Sequence, residues 1–372
     1  MVAGETSGDL LAGLLLQGLR ERWPALRSAG IGGPRMQAEG FEPWWPHEKL
    51  AVRGYIEVLR HYREIASIRD ALVRRLLGDR PDLFIGVDVP DFNLGVQARL
   101  KRAGIKTVQF VCPSIWAWRS GRARTMAASC DHVLCLFPFE PALLHAHGVA
   151  ATFVGHPLAA EIPVQTPRAA ARAALGLGAD ELVIALLPGS RRGEITAIAP
   201  TFLRTAALLQ QQRPDLKFVL PAVRGMGPLL QSLSQQHAPE LSLQLLDGRS
   251  HEALAACDLT LIASGTATLE AALFKRPMVI GYKMNLLTYR LMKPMQMQPW
   301  VGLPNILCGE FVVPERLQSE CVPEVLVGDV LRLLDDRAAA ERIGQRFADL
   351  HHLLRRDTAR LASDAIAQVL QT

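Results

Sequence analysis

Residues 182–211 read LVIALLPGSRRGEITAIAPTFLRTAALLQQ. The run 182–187 is wholly apolar, the signature of a strand buried on both faces. Pro188 and Gly189 stop it. Apolar residues then return at helical spacing over 194–211. Strand, tight loop and helix in that order make half of a parallel crossover unit.

The same unit recurs along the chain. Before residue 160 the spacing predicts strands at 28–32, 83–87, 107–111, 132–137 and 152–155, and residues 1–3 resemble the end of another. After it, strands are expected at 182–187, 217–220, 243–246, 259–263 and 278–282, with a helix at 266–274. Two such series imply two doubly wound α/β domains with parallel sheets, over 1–160 and 161–322. From 323 to 372 the pattern is helical and rich in arginine.

Composition narrows the function classes. Apolar residues make up 49% of the 372 and charged residues 21%, which excludes wholesale disorder, collagen and coiled-coil fibres. The net charge of +5 arises mostly before residue 161, where 19 basic residues face 15 acidic ones. That excess is too small for nucleic acid and suits an anionic small molecule or membrane surface. The six cysteines form no CxxC pair and most lie in apolar runs, so a reducing cytosol is expected. No apolar stretch approaches the ~20 residues of a spanning helix, and no leader pattern opens the chain.

Ligands of open α/β sheets bind at the carboxyl ends of the strands. The loop Pro188–Glu194 offers Gly189 for close approach, helix-start N–H donors, the Ser190 hydroxyl and the Arg191 guanidinium. It reads as a phosphate seat or as a capped helix start with solvated arginines. Ser264, Gly265 and Thr266 repeat the design, and Glu270 follows one turn later. Glu270 fits two hydroxyls of a ribose, or serves the helix dipole. Asp88 ends an apolar strand, which suits a general base, while Asp91 fits a helix N-cap. Trp116, Trp118 and Arg119 on one loop suit a sugar or acyl group with phosphate, or packing between domains. The segment 4–9, GETSGD, has Asp9 where a P-loop has lysine, and 30–35, GIGGPR, ends the dinucleotide pattern with arginine. Both departures weigh against a P-loop NTPase and a dinucleotide oxidoreductase. His156 reads as structural. Residues 53–77 interleave apolar and arginine positions, a core-facing helix or one lying on anionic lipid. No metal-ligand spacing appears.

These features describe a nucleotide diphosphate held by one domain and a base supplied by the other. The strings VAGETSGD (2–9), GPRMQAEG (33–40), VDVPDFN (87–93), PSIWAWR (113–119), LPGSR (187–191), SGTATLE (264–270) and LPN (303–305) resemble, in order and along essentially the whole chain, the lipid-A-disaccharide synthases. The resemblance implies a GT-B glycosyltransferase of two Rossmann-like domains facing a cleft. It implies metal-free, inverting transfer from UDP-2,3-diacylglucosamine to 2,3-diacylglucosamine 1-phosphate, giving a β-1,6 disaccharide and UDP, with no cofactor.

On this sequence the resemblance makes Asp88 the base and sets Arg191 on the UDP phosphates. Gly189, Ser190, Ser264, Gly265, Thr266, Glu270 and Asn305 join the nucleotide site. Glu5, Ser7, Asn93, Trp116 and Arg119 are expected near the acceptor. A homodimer exchanging its 323–372 helices is implied, peripheral on the cytoplasmic face of the inner membrane. The chain departs from the family in having few residues before Val2 and in Cys112, where a small polar residue is expected. The rival readings are another GT-B enzyme, such as a UDP-N-acetylglucosamine epimerase, and a non-catalytic UDP-sugar binder.

Overall fold

The structure is a computed structural model describing all residues except 51–54, 117–120, 286–288, 291–292, 296 and 372, and the side chains of 55–62. It divides into two compact units, Met1–Ala160 with Leu354–Thr372, and Glu161–Leu353.

The first unit holds strands β1 (Val2–Ala3), β2 (Ala29–Gly32), β3 (Glu42–Pro46), β4 (Leu83–Val87), β5 (Lys106–Phe110), β6 (His132–Cys135) and β7 (Ala151–Phe153). They form one sheet in the order β3-β2-β1-β4-β5-β6-β7, every pair parallel. Side chains alternate across it, as the period of two requires. Phe84 enters a core with Leu72, Val96 and Leu100, while Ile85 and Val87 enter another with Leu15, Leu16 and Ile366. Helix Thr358–Gln371 completes the second of these cores by packing on helix Thr6–Arg22. Gly18 permits that approach, because a Cβ there would stand 2.6 Å from the Ala359 carbonyl oxygen.

The second unit holds β8 (Leu182–Leu187), β9 (Leu216–Ala222), β10 (Leu243–Asp247), β11 (Leu259–Ala263), β12 (Met278–Tyr282) and β13 (Glu315–Leu317). Their order is β10-β9-β8-β11-β12-β13, again all parallel. Helix Arg192–Gln212 lays Ile195, Phe202 and Leu209 on this sheet. Helices Pro323–Asp335 and Arg337–Leu354 follow β13.

Two strands escape the sequence reading, β3 and β13. β3 reads EPWWP, with proline at two of its five positions, and β13 reads ERL. Both are sheet edges, where proline and charge are tolerated and the apolar signal vanishes.

Candidate active site

In the first unit the loops after β1 and β4 are neighbours, since Ala3 pairs with Val87. Glu5 precedes helix Thr6–Arg22 and is half-buried, and Ser7 is exposed in its first turn. Asp88 follows β4 in a left-handed conformation, φ 53°, and Val89 shares it at φ 41°. A β-branched residue there is strained, at a cost of about 1–3 kcal/mol. The strain is held by buried amides. Asn93 Nδ2 donates to the Asp88 carbonyl at 2.8 Å, and Gln109 Nε2 donates to the same oxygen at 3.2 Å. The Asp88 N–H donates to the Phe110 carbonyl at 2.9 Å. Gln109 Nε2 also lies 3.4 Å from the Val111 carbonyl, whose residue has φ 76°. The half-buried Asp88 is thus carried on a turn fixed from two sides.

Several expectations change here. Asn93 is fully buried and belongs to this scaffold, not to an acceptor surface. Asp91 is not the N-cap. That position falls to Val89, and Asp91 pairs with Arg122 at 2.5 Å. Trp116 is 8% exposed, with Nε1 donating to Glu140 at 3.1 Å and its ring edge-on to Phe137 and Phe139. It packs the loop and presents no open face. Burial pushes the Glu140 carboxyl up to about 7, against the lowering effect of the N–H groups of Phe137 and Trp116. Arg119 and Trp118 lie outside the described residues. His156 is buried beneath Phe137, which holds its imidazole down at about 4, as a structural histidine.

The two glycine-rich segments of this unit close on each other. Asp9 is 2% exposed and accepts from the N–H groups of Gly33 at 2.9 Å, Arg35 at 2.9 Å and Met36 at 3.1 Å. Its carboxylate fills the helix start where a ligand anion would bind. Beside it, a cavity of about 320 Å³ opens at the carboxyl ends of β2 and β3, walled by Trp44, Trp45, Pro34 and His47.

In the second unit β8 and β11 are neighbours, Leu187 pairing with Ile262, so their loops share one edge. Gly189 has φ 115°, and a Cβ there would stand 2.8 Å from Glu194 Cβ. Glycine is therefore required. Glu194 reaches back to the N–H groups of Ser190 at 3.3 Å and Arg191 at 3.4 Å, and Arg191 Nη1 donates to it at 3.2 Å. These contacts are long and outward, with the Arg191 side chain 62% exposed. At β11, Ser264 Oγ donates to the Val301 carbonyl, Gly265 and Thr266 are exposed, and Glu270 pairs with His251 at 3.2 Å.

Asn305 behaves differently from the expectation. It is fully buried, its Nδ2 donating to Val313 O and Glu315 and its Oδ1 accepting from Val312 and Val313 N–H. All four of its hydrogen-bonding positions are spent on protein. Glu315 also accepts from the N–H groups of Val301 and Gly302, each at 2.9 Å. Asn305 thus anchors the 301–315 segment. Gln109, His251 and Glu315 had no local sequence signal, because Asp88, Glu270 and Asn305 lie on other elements. Among the described residues no group of acidic, histidine or cysteine side chains is placed to hold a metal ion.

Two doubly wound parallel sheets, each with its loops at the carboxyl ends of the strands, define a fold of the GT-B class. The chain is similar to an Anabaena protein solved in complex with UDP and glucose, with TM-score 0.57, 14% identity and coverage of 100% of this chain and 98% of that one. It is similar also to UDP-GlcNAc 2-epimerase from Neisseria meningitidis bound to UDP-GlcNAc, with TM-score 0.60, 11% identity and coverage of 98% and 96%. Likeness at that identity shows the fold alone. Sequence goes further. The family described as lipid-A-disaccharide synthetase matches residues 1–369. The lipid-A-disaccharide synthase of Verminephrobacter eiseniae is 56% identical over 375 residues, covering 100% of this chain and 96% of that protein. The chain belongs to the lipid-A-disaccharide synthase family and is a glycosyltransferase of lipid A synthesis.

Proposed function

We propose that the two carboxyl edges divide one reaction, the transfer of 2,3-diacylglucosamine from UDP to the 6-hydroxyl of 2,3-diacylglucosamine 1-phosphate. The Asp88 carboxylate takes the hydroxyl proton as the oxygen attacks the anomeric carbon. The carbon–oxygen bond to UDP breaks with inversion, and its electron pair passes to the diphosphate. Arg191, with the N–H groups of Ser190 and of the helix starting at Thr266, stabilises the charge that grows there. Gly189 and Gly265 let the backbone approach, Ser264 lines the loop, and Glu270 takes the ribose hydroxyls. Asn305 serves by holding its segment in place. The acceptor is taken at the first unit's edge, near Glu5 and Ser7, with the Trp44–Trp45 cavity as its apolar wall, and Arg119, outside the described residues, is proposed to join them.

The observation that carries this reading is the Asp88 turn, a strained backbone braced by two buried amides at a strand end. Strain of that kind persists where the surrounding structure over-determines it, which is characteristic of functional sites. The test is Asp88→Asn, assayed for turnover and for UDP binding by calorimetry. Turnover is expected to fall roughly 10²–10⁴-fold with UDP affinity nearly unchanged. Near-normal turnover would reject the base assignment.

No helix among the described residues is long and apolar enough to cross a membrane. Peripheral attachment to the cytoplasmic face of the inner membrane is assigned to the arginines of the 53–77 region, since its apolar residues Ile68, Leu72, Val73 and Leu76 are buried in the first unit's core. Liposome sedimentation unaffected by Arg60→Glu with Arg63→Glu would count against that. A homodimer exchanging C-terminal helices is the proposed assembly.

A further inference from the structure

Glu270 does not stand alone. His251 Nε2 lies 3.2 Å from Glu270 Oε2. The histidine sits near the start of helix Ser250–Ala256, just past the end of β10, and Glu270 lies in helix Thr266–Leu273, just past β11. The two strands are separated in the sheet by β9 and β8, so the contact spans the edge on which the nucleotide loops stand. Phe274 meets the imidazole edge-on, with centroids 5.4 Å apart, and limits its rotation. The Glu270 side chain keeps 21% exposure. A carboxylate has two oxygens, so one held by His251 leaves the other to a ligand.

We propose that His251 is a positioning residue for Glu270, fixing the carboxylate for the ribose hydroxyls, and that it makes nucleotide binding tighten as the pH falls. The inference rests on the reading of Glu270 as the ribose ligand.

The charges around His251 favour this. Glu270 faces it, and Glu161 acts on it from helix Pro157–Glu161. On its own helix Glu252 is neutralised by Arg249. From helix Arg168–Leu175, both Arg168 and Arg172 are turned onto Asp258. Of the cations that follow Phe274, Arg276 donates to the Ala255 carbonyl near the far end of the histidine's helix and Lys275 donates to the Pro163 carbonyl, while the charges acting on the imidazole itself are the carboxylates Glu270 and Glu161. Its hydrogen bond to Glu270 raises its pKa above 6.5, burial opposes this, and attraction to Glu270 and Glu161 adds to the rise. The imidazolium is thus complete below about pH 6.5 and is lost as pH rises through the raised value. Above it, the hold on Glu270 weakens and a positive charge beside the nucleotide disappears.

The experiment is calorimetric titration of the full-length protein with UDP-glucose, a probe whose diphosphate diester keeps its charge between about pH 6 and pH 8.5. Wild-type affinity is expected to fall about two- to fivefold over that range, the scale of one exposed ion pair. His251→Gln should bind at the weak level throughout. His251→Arg, with a cation that never titrates, should bind tightly at both ends and lose the slope. A histidine that only packs would change the melting temperature and leave the slope intact. Persistence of the wild-type slope in His251→Gln overturns the proposal. Undiminished binding by both Glu270→Gln and Arg191→Ala also overturns it, and takes the nucleotide-site reading with it. If those two variants bind weakly while the slope survives in His251→Gln, only the role of His251 fails.

Discussion

The two units carry the same local pattern, a glycine-containing loop that opens a helix, and use it in opposite ways. In the first, Asp9 accepts three helix-start N–H groups at 2.9–3.1 Å from a buried position. In the second, Glu194 reaches two loop N–H groups at 3.3 and 3.4 Å from a more open one. The first is a finished structural joint. The second is a loose contact, which in the proposed reaction a phosphate replaces by offering the same acceptor geometry with more charge. A glycine-rich loop is therefore not a ligand site by virtue of its glycines. What matters is whether the chain supplies its own anion, and how firmly.

Substitutions on each unit separate the two uses of the pattern. Asn93→Leu removes a buried amide brace from the Asp88 turn. It should lower kcat by about 10–100-fold with UDP affinity unchanged, because a displaced base loses alignment. Equal loss of UDP binding would show a general defect instead. Arg191→Ala should weaken UDP binding by about 1.5–3 kcal/mol, the scale of a charged hydrogen bond. Unchanged calorimetric affinity would reject its place on the phosphates. Asp9→Ala strands the buried N–H groups of Gly33 and Met36 and should cost about 1–3 kcal/mol for each in denaturant unfolding, with no effect on UDP affinity in the folded protein. The reverse result would mean that the joint is a ligand site after all.

Smaller effects sharpen the picture. Glu140, whose pKa is raised from 4.5 to about 7, holds its proton more tightly when folded than when unfolded. Its contribution to stability is complete below 4.5 and is lost as pH rises through about 7. Glu140→Gln should therefore melt higher than the wild type at about pH 8, relative to their difference at about pH 4. An unchanged difference would contradict the buried proton. Glu194→Gln removes the competing carboxylate from the second unit's loop. UDP should then bind about two- to fivefold more tightly, the scale of a charge at a helix start. Weaker binding would make Glu194 part of the seat.

Much of this arrangement was legible in the residues. Strands β4, β8, β11 and β12 fall where the apolar runs end, because a parallel strand covered on both faces needs unbroken apolar sequence. The loops at Arg191 and Glu270 follow from glycine and proline punctuation at strand ends. What stayed hidden is long-range or at an edge. β3 and β13 are edge strands with proline or charge. Asp9 meets Gly33 from 24 positions away, and Gln109 meets Asp88 from 21. Nothing near Asn93 or Asn305 announces that its amide will be consumed inside the protein. Side-chain chemistry names what a residue can do, and packing decides which partner it does it with.

The proposed reaction sets a base on one edge and a diphosphate seat on the other, serving one sugar transfer. Its most direct test is mass spectrometry of the purified protein incubated with UDP-2,3-diacylglucosamine and 2,3-diacylglucosamine 1-phosphate in the presence of EDTA. Disaccharide 1-phosphate and UDP are expected in equal amounts. Folded protein that binds UDP and yields neither product would contradict it.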